Sequence, residues 1–232
     1  MHDHDFTDGI DWNDFWTTAS DRRRQSAEVS QFGNPDLLAR FIAETEIPDS
    51  FASIGCGPAT CPIELATRYP EMTVVGYDPA VSALEAARDR AEKAGADNAT
   101  FARGSLPGLD VDRQFDLVYC YATLHYVREI ETALTELYDR TRAGGHLVFN
   151  YPSRRTAVYN RRLVTGEADR PLPGDPEAFC ERFHLVFEEA NLLSTARIES
   201  ILGVRPRDFW STVDAPDEPW TGGHNPCVYV SK

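Results

Sequence analysis

Lysine is almost missing from this chain: Lys93 and Lys232 are the only two among its 23 basic residues, which face 37 acids and leave a formal net charge of -14. A surface of that sign repels a phosphate backbone, so nucleic acid is excluded as the expected partner unless a local basic patch compensates, and a small-molecule substrate is expected instead. No run approaches the roughly 18 apolar residues of a membrane span. The start, MHDHDFTDG, has neither the basic nor the apolar region of a signal peptide. A cytoplasmic protein with no membrane partner is therefore expected. The five cysteines, Cys56, Cys61, Cys120, Cys180 and Cys227, are odd in number and scattered. Cys56-x4-Cys61 is not zinc-ribbon spacing and has no matching second pair, so no metal site is expected.

Against these absences stands one dense stretch, Phe51 to Asp78, reading FASIGCGPATCPIELATRYPEMTVVGYD. A short apolar run breaks into Gly55-Cys56-Gly57-Pro58, a helical pattern follows from about Thr60 to Tyr69, and a second apolar run from Thr73 ends on Asp78. Glycines at a strand end allow a sharp turn and close approach of a ligand. A helix that begins there directs unpaired N–H groups at whatever is bound. An acid at the tip of the neighbouring strand, about 20 residues on, can accept both hydroxyls of a ribose. Strand, turn, helix, strand and acid at this spacing make a nucleoside site; a lone Gly-x-Gly would make only a tight turn.

IGCGPAT followed by VVGYDPA resembles the first two motifs of the class I S-adenosylmethionine-dependent methyltransferases. The likeness continues through Phe115 to Tyr119 with Leu124-His125-Tyr126, similar to that family's fourth-strand motif, and through LTELYDRTRAGGHLVFN, Leu134 to Asn150, similar to its helix, Gly-Gly turn and fifth strand. It implies S-adenosyl-L-methionine as cofactor, contacted by Gly55, Cys56, Gly57, Asp78, Pro79, Ser105, Leu106, Cys120 and Tyr121. It also implies a doubly wound, Rossmann-like α/β sheet, mostly parallel with an antiparallel C-terminal edge strand and helices on both faces. Ser53, Ala59 and Ser105 depart from the pattern, standing where the family has an acid, a glycine and an acid.

Around that stretch, one domain over residues 1–232 is expected, with an N-terminal helical lid segment (1–47), a cofactor-binding core (48–150) and substrate-side insertions with C-terminal strands (151–232). Asp11 to about Arg24 carries Trp12, Phe15 and Trp16 at i, i+3 and i+4 beside an exposed Arg22-Arg23-Arg24 run. That stripe is either ordinary core or the underside of a lid. Asn34-Pro35 opens a second, structural helix with Leu37, Leu38, Phe41 and Ile42 on one side. Ser82 to Ala94 reads as a helix stopped by Gly95, Ala99 to Ala102 as a third strand, and Phe115 to Cys120 as a central parallel strand. Ile130, Leu134, Leu137 and Tyr138 give a helix that runs to Gly144-Gly145, and His146 to Asn150 a fifth strand.

Beyond it, Tyr151 to Asp175, rich in arginine and ending in the Pro171 to Pro173 turn, and Gly203 to Pro226, with Phe209, Trp210 and Trp220, read as irregular segments able to wall a substrate pocket. Asp175-Pro176 starts a helix with Phe179, Phe183 and Phe187 on one face. Thr195 to Ile201 and Cys227 to Val230 read as strands, which the resemblance makes an antiparallel pair at one sheet edge.

The reaction implied by the resemblance is in-line attack by a substrate nucleophile on the methyl group of a sulfonium, for which the protein aligns the partners and excludes water. A nucleophile that starts protonated needs a base, and His125, just past the fourth strand, is the catalytic candidate; its other readings are a hydrogen bond to the backbone or a brace for the cofactor. Tyr121, Tyr126 and Tyr151 can orient a substrate or face the sulfonium. The Asn/Asp-Pro-Pro-aromatic motif of amino-group methylation is absent after Cys120, which leaves a small-molecule oxygen, nitrogen, carbon or sulfur acceptor. A nicotinamide-dependent dehydrogenase would need the full Gly-x-Gly-x-x-Gly and a Tyr-x-x-x-Lys pair, and neither occurs. A non-catalytic module that binds S-adenosylmethionine stays open because of Ser53, Ala59 and Ser105. The acid-rich, lysine-poor surface also resembles proteins of salt-loving organisms, for which stability should rise with salt.

Overall fold

Successive residues along the apolar runs enter two different cores. Phe51, Val74, Leu117 and Tyr119 belong to one, and their neighbours Ala52, Val75, Val118 and Cys120 to the other. Strands buried on both faces are the middle of a covered sheet. The computed structural model describes residues 6–7, 10–20, 24, 34–172, 174–215, 221 and 223–232. Arg22, Arg23, Pro173 and Trp220 lie outside the described residues, as does much of the expected lid segment.

The sheet has seven strands: β1 (Ser50–Ile54), β2 (Thr73–Asp78), β3 (Ala99–Arg103), β4 (Phe115–Cys120), β5 (Thr141–Asn150), β6 (Arg207–Asp208) and β7 (Cys227–Ser231). Their order across the sheet is β3-β2-β1-β4-β5-β7-β6. The first five are parallel, in register pairs such as Ser53↔Gly76 and Ser53↔Tyr119. β7 runs antiparallel to both β5 and β6, with Cys227 opposite Asn150. The order reverses between β1 and β4, and a crevice opens at the carboxyl ends of strands where it does so.

Helices cover both faces. α2 (Asn34–Glu44), α3 (Thr60–Arg68) and α4 (Val81–Ala94) pack Leu38, Phe41, Leu65 and Ala87 into the first core. α5 (Ile130–Asp139) and α9 (Thr195–Leu202) pack Leu134, Leu137 and Ile198 into the second. α1 (Trp12–Thr18) joins neither: Trp12 and Phe15 form a separate cluster with Ala19, Ala80, Ala83 and Tyr126. It is tied down by Asn13, whose side-chain oxygen accepts from Ser82 N at 2.9 Å at the uncapped start of α4.

Four expectations change. Thr195 to Ile201 is a helix, because Ser194 caps it through Arg197 N and Ile198 and Leu202 bury one turn apart before Gly203; its β-branched residues imitate a strand. The edge partner of β7 is instead the two-residue β6, too short to carry a period. The helix that starts at Ile130 stops at Asp139, and Gly144-Gly145 lies within β5, where a Cβ on Gly145 would stand 2.6 Å from Asp116 O of β4. Tyr151 to Asp175 is not irregular: Ser153 and Thr156 form a capping box that opens α6 (Arg154–Thr165). The Phe179, Phe183, Phe187 cluster survives, with Phe183 at the junction between α7 (Pro176–Arg182) and α8 (His184–Phe187). A last short helix, α10 (Phe209–Thr212), buries Phe209 and Trp210 in the second irregular segment.

Candidate active site

The turn after β1 is made by three left-handed residues, Gly55 (φ 72°), Gly57 (φ 53°) and Ala59 (φ 59°). Gly55 N and Cys56 N both donate to Tyr77 O, at 2.8 and 3.0 Å, which fastens the turn to the end of β2. A Cβ on Gly55 would lie 2.1 Å from Thr123 Oγ1, and one on Gly57 would lie 3.2 Å from the Trp16 ring. The space these glycines leave is thus filled by the loop after β4 and by α1. What the turn presents to a ligand is backbone.

Asp78 ends β2 and is 5% exposed. Its carboxylate accepts from Gly57 N at 2.7 Å and from Ala80 N at 2.9 Å, one on each oxygen. Burial raises its pKa to about 6, against the lowering effect of those two N–H groups. A carboxylate offers about four lone-pair directions, so two remain to accept a pair of vicinal hydroxyls. Burial, and then the neighbouring Asp78, hold the Cys56 thiol well above its ordinary pKa, so it carries no thiolate at neutral pH.

Turn, acid and loops surround a cleft of about 970 Å³ counted with the solvent at its mouth. Eight of the expected cofactor contacts line it: Gly55, Cys56, Gly57, Asp78, Pro79, Ser105, Leu106 and Tyr121. Trp12 and Trp16 line it from α1, with Trp12 edge-on to Tyr126 at 4.7 Å. Cys120 does not line it; its side chain points into the opposite core, where burial pushes the thiol up to about 12.

His125, expected beside the reacting methyl, is not among the lining residues either. It sits in the turn Leu124–Tyr126, whose carbonyls Asn191 Nδ2 holds at 3.1 Å, and it packs edge-on to Phe183. Burial, and then Arg182, lower its pKa to about 4. At neutral pH it is an uncharged ring behind Tyr126.

One hydrogen-bonded network, which joins the expected site residue Tyr121 to Trp210 of the second irregular segment, had no reading from the sequence. Asn225 Nδ2 donates to Tyr121 OH at 2.8 Å, Asn150 Nδ2 donates to Asn225 Oδ1 at 2.9 Å, and Asn150 Oδ1 accepts from Ala122 N at 2.7 Å. Trp210 Nε1 completes the group by donating to Asn225 O at 3.0 Å. Tyr121, stacked on Tyr119 with rings 5.9 Å apart, is thereby held against the cleft. The only sequence signal was an asparagine, Asn150, closing an otherwise apolar strand.

A backbone turn and a buried acid at the switch point of this sheet define a doubly wound protein that binds a nucleoside cofactor. The family described as Methyltransferase domain matches residues 51–145. A trans-aconitate 2-methyltransferase of Methylobacterium radiotolerans is 30% identical over 209 residues, covering 87% of this chain and 72% of that protein. Another, from Paracidovorax citrulli, is 31% identical over 201 residues, 78% of this chain and 72% of that one. Among solved structures, magnesium protoporphyrin IX methyltransferase from Synechocystis PCC 6803 with bound SAH superposes with a TM-score of 0.61 at 17% identity, over 94% of this chain and 97% of that one, a likeness of fold. The chain belongs to the class I S-adenosylmethionine-dependent methyltransferases. It is an enzyme that uses S-adenosylmethionine to methylate a small molecule.

Proposed function

We propose that the acceptor is a small polycarboxylic acid and the product its methyl ester, and that the cofactor runs from the 55–57 turn across Asp78 to Ser105 and Leu106. The observation that carries the cofactor placement is the buried Asp78 carboxylate, anchored by two N–H groups with acceptor capacity to spare. Support for the acid comes from the two trans-aconitate 2-methyltransferases, whose named substrate offers carboxylate oxygens as its only heteroatom nucleophiles.

When bound, S-adenosylmethionine supplies a methyl group on a sulfonium. An ionised carboxylate oxygen is already a nucleophile, so the chain would need only to hold it in line with that methyl, the cofactor leaving as a neutral thioether. No proton leaves, so no base is needed. We therefore assign proton transfer neither to His125, neutral and outside the cleft lining, nor to any other side chain. The chain's own contribution is position and dryness. Tyr121, fixed by Asn225, shapes the methyl end; Trp12 and Trp16 cover the cleft and keep water from the sulfonium. Of the expected lid segment 1–47, α1 is the part that acts in this reading as a lid, with the Trp12, Phe15 stripe as its underside, whereas α2 belongs to the first sheet core.

Five free cysteines suit a reducing compartment, so the reading includes a cytoplasmic enzyme. The net charge of -14 argues against a nucleic-acid acceptor and suits a salt-rich cytoplasm. No helix among the described residues is long and apolar enough to cross a membrane.

The test is methyl transfer from isotopically labelled cofactor to a panel of carboxylic acids that includes trans-aconitate, run beside alcohols, amines and thiols. The expected product is a base-labile methyl ester of a di- or tricarboxylate. Label found only on alcohols, amines or thiols would overturn the carboxylate acceptor and leave methyl transfer standing.

A further inference from the structure

A second pocket opens at the same edge of the sheet as the cleft. Because Cys227 of β7 pairs with Asn150 of β5, the loop that enters β7 and the helix α6 that leaves β5 both rise from the carboxyl end of β5. Between them is an open depression of about 780 Å³ counted with the solvent above it, lined by Arg154, Arg155, Val158, Tyr159 and Arg162 of the helix and by Gly223 and His224 of the loop. Arg155, Tyr159 and Arg162 fall at i, i+4 and i+7, one face of α6.

Among the described residues no carboxylate lines this pocket, in a chain where acids outnumber bases 37 to 23. Several arginines elsewhere are paired with acids: Arg161 with Glu189 at 3.0 Å, Arg68 with Asp36 at 2.7 Å and Arg142 with Asp116 at 2.6 Å. Among the described residues, no ion pair uses Arg154, Arg155 or Arg162. The wall is also built to stay put. Tyr159 stacks on His224 with ring centroids 3.9 Å apart, and its hydroxyl is held between Arg170 Nε and Asp169 Oδ1, each at 3.3 Å. The Arg155 guanidinium rests on the backbone of Gly223, where a Cβ would come within 2.8 Å of Nη1. Two residues further along, Asn225 holds Tyr121 in the cofactor cleft.

We propose that this arginine pocket binds the carboxylates of the acceptor that are not being methylated, and so selects polycarboxylic acids over monocarboxylic ones. Planar guanidinium groups on one helix face suit several carboxylates of one small molecule, each taken by parallel N–H donors. The assignment rests on the carboxylate-acceptor reading above and adds the residues that enforce it.

The experiment uses the full chain saturated with S-adenosylhomocysteine, and tricarballylate, a saturated tricarboxylate, as the probe in calorimetry. Arg155→Gln and Arg162→Gln should each weaken the probe at least tenfold and leave cofactor affinity unchanged. In turnover with trans-aconitate the same variants should raise KM by a similar factor, with kcat moved far less. Gly223→Ala keeps every charge and only lifts the guanidinium, so it should give a smaller shift in the same direction. Circular dichroism and melting of each variant exclude misfolding as the cause. Arginine-dependent probe binding without methylation of any acid would keep the anion site and overturn the acceptor reading. Ester formation with KM and probe affinity unchanged in both arginine variants would overturn the site.

Discussion

Two halves of one sheet edge solve two recognition problems by opposite means. Over β1 and β2, the cofactor half consists of backbone and one buried acid: three left-handed residues, two N–H groups on Asp78 and side chains that pack the turn in place. Over β5 and β7, the half we propose for the acceptor consists of long side chains, cationic and exposed, carried on α6 and the loop that enters β7. A nucleoside recognised by backbone forces glycine, helix start and acid into fixed spacing. A substrate recognised by side chains needs only that a helix face and a loop meet, and no spacing in the sequence records that.

The largest expected effect tests whether α1 belongs to the cofactor half or to the body of the fold. Its Trp12 and Phe15 are 9% exposed, yet their cluster is separate from both sheet cores. Deleting residues 1–24 should therefore leave the sheet folded, raise the cofactor off-rate at least tenfold and abolish transfer. Loss of the Asn13 bond to Ser82 should cost about 1 kcal/mol of stability, the scale of a lost helix cap. Global unfolding on deletion, seen by circular dichroism, would make the stripe ordinary core and erase the lid.

The same division explains what was legible. β1 to β5 and α2 to α4 follow from runs and stripes, and eight of nine expected cofactor contacts meet in one cleft. Cys120 stays outside the cleft lining because its side chain alternates to the far core, although it holds the motif's strand-end position. His125 lies between the lining positions Thr123 and Tyr126, Leu124–Tyr126 being a tight turn that sends its neighbours in different directions. In the acceptor half, Thr195 to Leu202 hid a helix behind β-branched residues, and α6 announced itself only through Ser153 and Thr156. Asn225 was invisible because its bond to Tyr121 spans 104 residues of chain.

Asp78 sharpens the comparison from the cofactor side. Asp78→Ala should weaken cofactor binding by about 1.5 to 3 kcal/mol, the range for hydrogen bonds to a charged group, with the acceptor pocket unaffected. Its pH dependence has a defined sign. With the folded pKa near 6, above that of an unfolded aspartate, the group favours the folded state at low pH, and this stability is lost as pH rises from about 4 through 6. Denaturant titrations of the cofactor-free protein across that window should show the decline, and Asp78→Asn should remove it. Cofactor affinity should run the other way and fall below pH 6, because ribose hydroxyls donate to the ionised form. An affinity flat from pH 5 to 8 would separate Asp78 from the ribose.

The smallest effect concerns two residues of the turn with the same left-handed backbone, Gly57 and Ala59. A left-handed alanine costs about 1 to 2 kcal/mol. At position 59 the methyl is fully buried in the first core, which returns about 0.8 kcal/mol, and glycine would lose roughly 0.5 to 1 kcal/mol more chain entropy on folding. These terms nearly cancel, so Ala59→Gly should change stability by less than about 1 kcal/mol, which is why an alanine can stand where the family pattern has glycine. At position 57 no cancellation is available. The new methyl would press on Trp16 at 3.2 Å rather than fill a core, so Gly57→Ala should cost about 1 kcal/mol or more and speed cofactor release by pushing the lid outward. Paired melts and stopped-flow cofactor release decide it. Equal effects at the two positions would mean that backbone conformation alone governs the turn, and that Trp16 does not bear on it.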